Sequence, residues 1–580
     1  MYLLAPACEA ISGTTKKLEK RQIVADYLRS RTPDEAAVSA VFLSGRVFPA
    51  YEQTILQVGG TQLWKAVQEL SGKSDAAMTA ASRRHGDLGS ATYEVLSSGG
   101  EPPKAGSLNV LDVMKTFRRI AQTRGAGAKF TLVRELLSRA TPLEAKYLVK
   151  IMTGELRIGM RESLVEEGIA QAYGVDLAEV QRANMMLGDI GETCRLAMER
   201  RLAEARMRLF HPLGFMLATP VESAEGAFSF FQHAHVEDKY DGIRAQAHCR
   251  DGEVKIFSRT LDDVTESFPE LAEALAGFAG EVILDGEIVA WTARTEKDCG
   301  NLTATGEALP FSELQKRLGR KKVTETLMRS VPVVYVAFDV LYSDGELVID
   351  KPLRERAAVL DAIFARARRP AMVRTADPQG KLIFESALED SQAHAEVIRA
   401  PVLRADSAEH LQELFEAAQG RGNEGLMIKD AESPYTPGRR GQSWLKMKRE
   451  LATLDAVVTA VEYGHGKRVG VLSDYTFAVR DGERFVNIGK AYSGLTDKEI
   501  AEMTQWFLAH TLVDRGFVRE VEPKIVLEVA FNAIMQSDRH KSGYALRFPR
   551  IVRIRDDKPP EEVDTIERVR EIYARQHGRG

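Results

Sequence analysis

The sequence predicts a chain of three domains of different class: all-α over residues 1–205, mixed α/β over 210–449 and an all-β small barrel over 453–580. Three observations carry this. Apolar residues recur at helical spacing through the first third, where β-branched runs are scarce. Strand-like segments begin near His211-Pro212-Leu213-Gly214 and alternate with helices. From Ala456 onward short β runs return, separated by turns such as Asp481-Gly482. At 580 residues the chain is too long for one core.

Helical spacing is clearest over Leu18 to Arg31, Leu63 to Leu70, Leu111 to Gln122, Leu132 to Ser138, Pro142 to Thr153 and Ser163 to Ala172. Thr32-Pro33-Asp34-Glu35 and Thr141-Pro142-Leu143-Glu144 put Pro at a first helical position behind a capping Thr. Two loops stand out. Gly125-Ala126-Gly127-Ala128-Lys129 could bring backbone and an ammonium to a phosphate at a helix N-terminus. Gly154 to Arg161 sets Arg157 and Arg161 beside two glycines. On residues alone, each serves equally as an ordinary solvated connection. In the middle region Ala245 to His248, Val254 to Ser258, Val282 to Trp291 and Val333 to Leu341 read as strands, with helices at Leu271 to Phe278 and Arg354 to Arg366. Leu451 to Asp455 has the look of a hinge. Beyond it, Val457 to Tyr463, Tyr475 to Arg480, Phe485 to Ala491, Ile525 to Phe531 and Ile551 to Arg555 suit an OB-fold, and a charged tail carries a helix at Ile566 to Gln576.

Composition narrows the class. Hydrophobic residues at 44% and charged residues at 28% describe a globular chain. A net charge of -4 means that any nucleic-acid contact must come from local basic surfaces. Cys8, Cys194, Cys249 and Cys299 lack metal-ligand spacing and fit a reducing compartment. Met1 to Lys17 lacks the order of a secretion signal, and no apolar run reaches the ~18 residues needed to span a bilayer. A cytoplasmic, prokaryotic protein with no membrane partner is expected.

The chemistry centres on His235-Val-Glu-Asp-Lys-Tyr-Asp-Gly-Ile-Arg244. Lys239 stands among Glu237, Asp238 and Asp241, with Gly242 supplying a turn. A nucleophilic lysine must first lose its proton, which desolvation or neighbouring cations favour. A lone Lys-x-Asp-Gly is ordinarily a charged surface turn. Partner stretches follow in order, however: Ser258-Arg259, Leu284-Asp285-Gly286-Glu287-Ile288-Val289, Phe338-Asp339-Val340-Leu341-Tyr342, Glu424-Gly425-Leu426-Met427-Ile428-Lys429, Tyr435 to Arg440, Trp444-Leu445-Lys446-Met447-Lys448, and Arg547 to Lys558.

Together these stretches resemble the ordered motifs of the covalent nucleotidyltransferases, and more narrowly a three-domain ATP-dependent DNA ligase. The likeness covers nearly the whole chain. Leu309 to Arg317 and Pro352 to Arg356 match ligase-type segments, and the Gly125 and Arg157 loops are similar to that family's DNA-contacting elements. The resemblance implies a helical DNA-binding domain, an adenylation domain and an OB-fold domain. It implies that Lys239 attacks the ATP α-phosphate to form lysyl-AMP. Glu237 then helps bind adenine, Phe338 stacks on it, and Arg244 and Arg259 hold the nucleotide and later the DNA 5′-phosphate. Glu287 holds ribose or metal, and Glu424 helps bind Mg2+. Lys446, Lys448 and Arg440 meet nucleotide phosphates. Arg555 and Lys558 orient the pyrophosphate, and Lys129, Arg157 and Arg161 contact DNA. The implied partner is nicked double-stranded DNA, bound by a monomer, and no sliding-clamp box is visible.

Other classes share parts of this pattern. A GTP-using capping enzyme or an RNA ligase leaves the first 205 residues without a role, and an NAD-dependent ligase would need a cysteine zinc finger. A catalytically silent DNA-binding relative would not need Lys239, Glu287, Glu424, Lys446 and Lys448 together.

Overall fold

A computed structural model describes residues 1–98, 108–231, 233–298, 301–309, 311–317, 323–367, 373–376, 382–384, 396–448, 452–465 and 468–577. Cys299 and Pro310 lie outside them. The chain forms two compact units. One takes residues 1–57, 108–123 and 154–449; the other takes 58–107, 124–153 and 450–580.

The helices follow the expected caps. Helix Pro33–Leu43 starts at a capping box in which Thr32 Oγ1 accepts from Glu35 N and Glu35 reaches back to Thr32 N. Thr141 and Glu144 repeat this at helix Pro142–Met152. Each box satisfies two of the backbone N–H groups that a helix start leaves open. Among the described residues, no helix is long and apolar enough to cross a membrane.

In the first unit, two sheets set the site. The first contains β1 (Leu217–Val221), β2 (Ala234–Lys239), β12 (Gly425–Asp430) and β13 (Arg440–Lys448), in the order β1-β13-β12-β2. The second runs β11-β7-β5-β6-β10-β9, from β5 (Glu281–Asp298), β6 (Asn301–Ala308), β7 (Val333–Ser343), β9 (Val373–Ala376), β10 (Leu382–Phe384) and β11 (Glu396–Arg399). Beside β5 lies β3 (Ile243–Arg250), which pairs with β4 (Glu253–Ser258); β8 (Glu346–Leu347) caps β7. Ala245, Ala247, Leu284, Ile288 and Val340 pack on Leu271, Leu275, Leu360 and Ile363 of the covering helices. That helix-covered face explains why these strands read as apolar runs. β5 extends seven residues past the predicted Trp291, because its far end pairs with β6.

The ligase-type segments prove to be braces. Arg356, fully buried, forks onto Asp339 with both bonds at 2.9 Å, and so fixes the residue after Phe338. Arg317, also fully buried, donates to Glu270, to Val331 O and to Ser267 O.

The second unit contains the β-rich C-terminal region. β14 (Ala452–Tyr463) pairs with β15 (Leu472–Asp481), β18 (Val518–Val521) and β19 (Val526–Phe531); β15 pairs with β16 (Arg484–Ala491), β18 with β17 (Thr511–Asp514), and β19 with β22 (Arg550–Ile554). A hairpin of β20 (Ala533–Gln536) and β21 (Tyr544–Arg547) completes this OB-like half-barrel, with helices at Asp497–Ala509 and Ile566–His577. The hinge reading needs correction. Ala452 to Asp455 are ladder residues of β14, paired with Phe531 to Glu528, so they are held in the sheet; Arg449 to Leu451 lie outside the described residues.

Candidate active site

Lys239 ends β2, and strand register decides its neighbours. Gly425 of β12 stands opposite Lys239 on one side and Lys448 on the other. Met427 stands between Glu237 and Lys446. A Cβ on Gly425 would come within 2.1 Å of Met447 O, so only glycine lets β13 approach here. Gly242 plays the same part on the other side, where a Cβ would lie 2.3 Å from Ile288 O and 2.8 Å from Glu287 Cγ. The turn after Lys239 is thereby pressed against Glu287.

The result is a cavity of about 180 Å³. Lys239 lines it together with all eight predicted nucleotide residues, Glu237, Arg244, Arg259, Glu287, Phe338, Arg440, Lys446 and Lys448. Glu424 stands beside it: its carboxylate lies 2.6 Å from Lys239 Nζ and 2.9 Å from Lys448 Nζ. A larger cavity, about 660 Å³, lies along Glu179 to Met186, Leu202 to Met207 and Tyr342 to Leu347, and holds none of the predicted residues. Volume therefore does not mark the chemistry here; the convergence of charge does.

Electrostatics at the site follow from burial first. Burial pushes the Glu287 carboxyl up to about 8, against the pull of Lys239 and Arg244 and helped by the charges of Asp285 and Glu424. Burial also pushes Glu424 up, but Lys239 and Lys448 together hold it below the ordinary carboxylate range. Lys446 is held down by burial and then by Lys448, Arg440, Lys239 and Arg259. The neutral Lys239 expected from nearby cations is met by an opposing feature, since the same side chain pairs with Glu424.

Two predicted roles need restating. Arg244 does not present an open fork. Its Nε and Nη2 bind Asp285 at 3.1 and 2.7 Å, its Nη1 donates to Met216 O at 2.6 Å, and its guanidinium lies 5.0 to 5.4 Å from the rings of Phe215, Phe338 and Trp444. It is a brace of the cavity wall, fixed by a buried carboxylate that also accepts from Tyr435 Oη at 2.7 Å. Lys129, in the first turn of helix Ala126–Ser138, is 5% exposed, so its packing turns the side chain away from any surface phosphate. Arg157, at φ +47°, and Arg161 are exposed on their loop, and Arg157 pairs with Glu155 at 3.0 Å. Beneath that loop buried Lys20 donates to Ile158 O and Gly159 O at 2.7 and 3.1 Å.

In the other unit Arg555 and Lys558 converge on one carboxylate. Arg555 Nη1 binds both oxygens of Asp455 at 3.0 and 2.9 Å, and Lys558 Nζ lies 2.7 Å from Asp455 Oδ2. Asp557 takes the remaining edge of Arg555.

Some residues escaped prediction. Lys429 Nζ lies 2.5 Å from Glu237 and 4.3 and 4.4 Å from the Phe338 and Trp444 ring centres. Asp238, next to Lys239, is held by Arg421 at 2.9 and 2.6 Å and by Asn423 at 2.8 Å. The available signal was a charge embedded in an apolar strand: Lys429 ends Leu-Met-Ile and Asp285 follows Val-Ile-Leu. Such charges are buried only when paired.

Family models described as "DNA ligase N terminus", "ATP dependent DNA ligase domain" and "ATP dependent DNA ligase C terminal region" match residues 1–170, 215–448 and 468–558. A "Probable DNA ligase" of Koribacter versatilis (strain Ellin345) is 63% identical over 578 residues, covering 99% of this chain and 97% of that protein. A "DNA ligase" of Methanothrix thermoacetophila is 37% identical over 592 residues, covering 99% and 98%. A solved structure named "Pmar-Lig_Pre." shares the fold at TM-score 0.57 and 15% identity, covering 95% of this chain and 99% of that one.

Proposed function

Because this chain belongs to the ATP-dependent DNA ligase family, we propose that it seals nicks in duplex DNA by three phosphoryl-type transfers that begin at Lys239. In the first, the neutral Lys239 amine gives up its bond to Glu424 and attacks the ATP α-phosphorus. The Nζ–P bond forms as the P–O bond to pyrophosphate breaks. In the second, a DNA 5′-phosphate oxygen attacks the same phosphorus and frees Lys239. In the third, the 3′-hydroxyl attacks the 5′-phosphorus and AMP leaves.

Positioning and charge neutralisation supply most of the catalysis in such transfers. Arg259, Arg440, Lys446 and Lys448 face the phosphates from the cavity wall. Phe338, steadied by its edge-to-face contact with Trp444 at 6.1 Å, offers a ring to adenine, and Glu237 reaches the base from the Lys429 side. Arg555 and Lys558 serve the departing pyrophosphate, so they belong to the first step alone. Glu287 and Glu424 are hard oxygen donors, and the charge of Glu424 helps to raise Glu287; among the described residues no group of three or more His, Cys, Asp or Glu side chains gathers to hold an ion, so these two carboxylates would bind Mg2+ only together with the nucleotide phosphates. Such an ion supplies charge neutralisation at phosphate oxygens.

By function, residues 1–205 serve as the DNA-binding part, 210–449 as the adenylation part and 453–580 as the OB part. A monomer acting inside the cell on nucleoid DNA is the simplest setting, with Arg157 and Arg161 on backbone phosphates. The single observation that carries the proposal is Lys239 lining one cavity with the eight predicted nucleotide residues. Incubation with α-labelled ATP tests it: a covalently labelled chain is expected, and none from a Lys239→Ala variant. Label retained by that variant would overturn it.

A further inference from the structure

Arg259 lies on a turn held in part from within and in part from a distant residue. Within the turn Ser258 N donates to Asp262 O and Leu261 N to Ser258 O, both at 2.8 Å. Leu261 adopts φ +67°, a left-handed conformation that a leucine keeps only when its surroundings impose it. The external hold comes from Gln53, over two hundred residues earlier. Gln53 Nε2 donates to Leu261 O at 3.0 Å, and Gln53 Oε1 accepts from Asp263 N at 2.8 Å. One amide thus completes both backbone groups that flank Asp262, as a neighbouring strand would.

Gln53 is itself anchored. Glu52, the preceding residue, takes both arms of the Arg118 fork, one at 2.6 Å, and Arg118 rises from helix Val110–Gln122 over the Phe48 ring at 4.7 Å. Tyr51 N donates to Gly188 O at 3.2 Å, and the Tyr51 ring stacks on His211 at 4.1 Å. Residues 51–53 therefore form a braced arm reaching from the helical part to the arginine turn, all within one compact unit.

We propose that Gln53 is a positioning residue for Arg259: it sets the turn so that the guanidinium meets the phosphate at the nick, and so couples the helical part to AMP transfer. This rests on the role given to Arg259 above. The test is a double-variant cycle in the full chain, with single-turnover rates for self-adenylylation and for AMP transfer to a labelled nick. Gln53→Met keeps the volume and loses both bonds. It is expected to slow AMP transfer by about two- to tenfold in the otherwise natural chain, and to add nothing in an Arg259→Ala background, because contacting partners are not additive. Equal slowing in both backgrounds would overturn the proposal and make Gln53 a general brace. So would an unchanged rate in Gln53→Met while Arg259→Ala is slow. If Arg259→Ala itself transfers AMP normally, the role of Arg259 has failed, and the coupling falls with it.

Discussion

Replacing Lys429 with methionine asks whether the floor of the Lys239 cavity is held by charge or by volume. The Glu237 and Lys429 side chains are 4% and 1% exposed and 2.5 Å apart. Burial pushes Glu237 up and Lys429 down, and each partner's charge offsets part of the other's cost. Methionine keeps the length and contact with Phe338 and Trp444 but strands a carboxylate. Breaking one side of a buried pair costs about 3–5 kcal/mol, and the lost cation–π contacts add about 0.5–2 kcal/mol. Glu237 can escape by taking a proton. Its folded pKa is raised, so the stability contribution of that proton is present at low pH and lost as pH rises through the folded value. The deficit should therefore grow with pH above the ordinary carboxylate range. Removing both charges, as Glu237→Gln/Lys429→Met, leaves only an imperfectly bonded amide, at about 1–3 kcal/mol. With two compact units, a global unfolding curve is the wrong measurement. Amide hydrogen exchange along β2 and β12 reads the local opening directly. Protection there should drop about a hundredfold or more in the single variant near pH 8, less near pH 6, and largely return in the double. If the double variant exchanges as fast as the single at both pH values, charge coupling is not what holds the floor.

Three further outcomes are expected. Lys239→Ala should lose self-adenylylation yet still seal a nick already adenylylated at its 5′-phosphate, which a gel assay on the two substrates separates. Arg555→Ala/Lys558→Ala should slow adenylylation by ATP by about 10²-fold or more while sparing the pre-adenylylated nick; equal losses on both would make these residues barrel scaffold around Asp455. Arg157→Ala/Arg161→Ala should weaken duplex binding and reduce the log–log salt slope by roughly 0.9 for each phosphate contact removed, as read by titration at several salt concentrations.

Local signals located the elements they named, because period and caps are local properties, but helices such as Leu88–Ser97 and Asp497–Ala509 were not among them. The strand at Val333 and the capping box at Thr32 are written in a few adjacent residues. What sequence could not supply was the partner of a long side chain. Arg244 suggested a phosphate fork because its binding edge was visible and Asp285, 41 residues away on β5, was not known to face it across the β3–β5 pairing. Lys129 misled for a related reason: it follows a glycine loop, but helix phase turns it inward. The hinge at Ala452 to Asp455 reads as a connection in isolation, and only the distant β19 makes it a ladder.

Sorting the charges around Lys239 by partner shows why the cavity suits a polyphosphate. Three pairs are internally settled: Glu237 with Lys429, Asp238 with Arg421, and Arg244 with Asp285. They fix the walls and contribute little net field. Lys239 and Lys448 then share the single carboxylate of Glu424. Among the described residues, Arg259, Arg440 and Lys446 form no salt bridge, and Lys446 is held down by these same neighbours after burial. Cations confined in a partly buried cleft repel one another more strongly than in water. An anion of high charge entering there relieves that repulsion, gains hydrogen bonds from donors already in place, and competes with the Glu424 carboxylate for Lys239 and Lys448. On the proposed mechanism, binding of ATP and loosening of Lys239 from Glu424 would therefore be driven by the same surplus of positive charge.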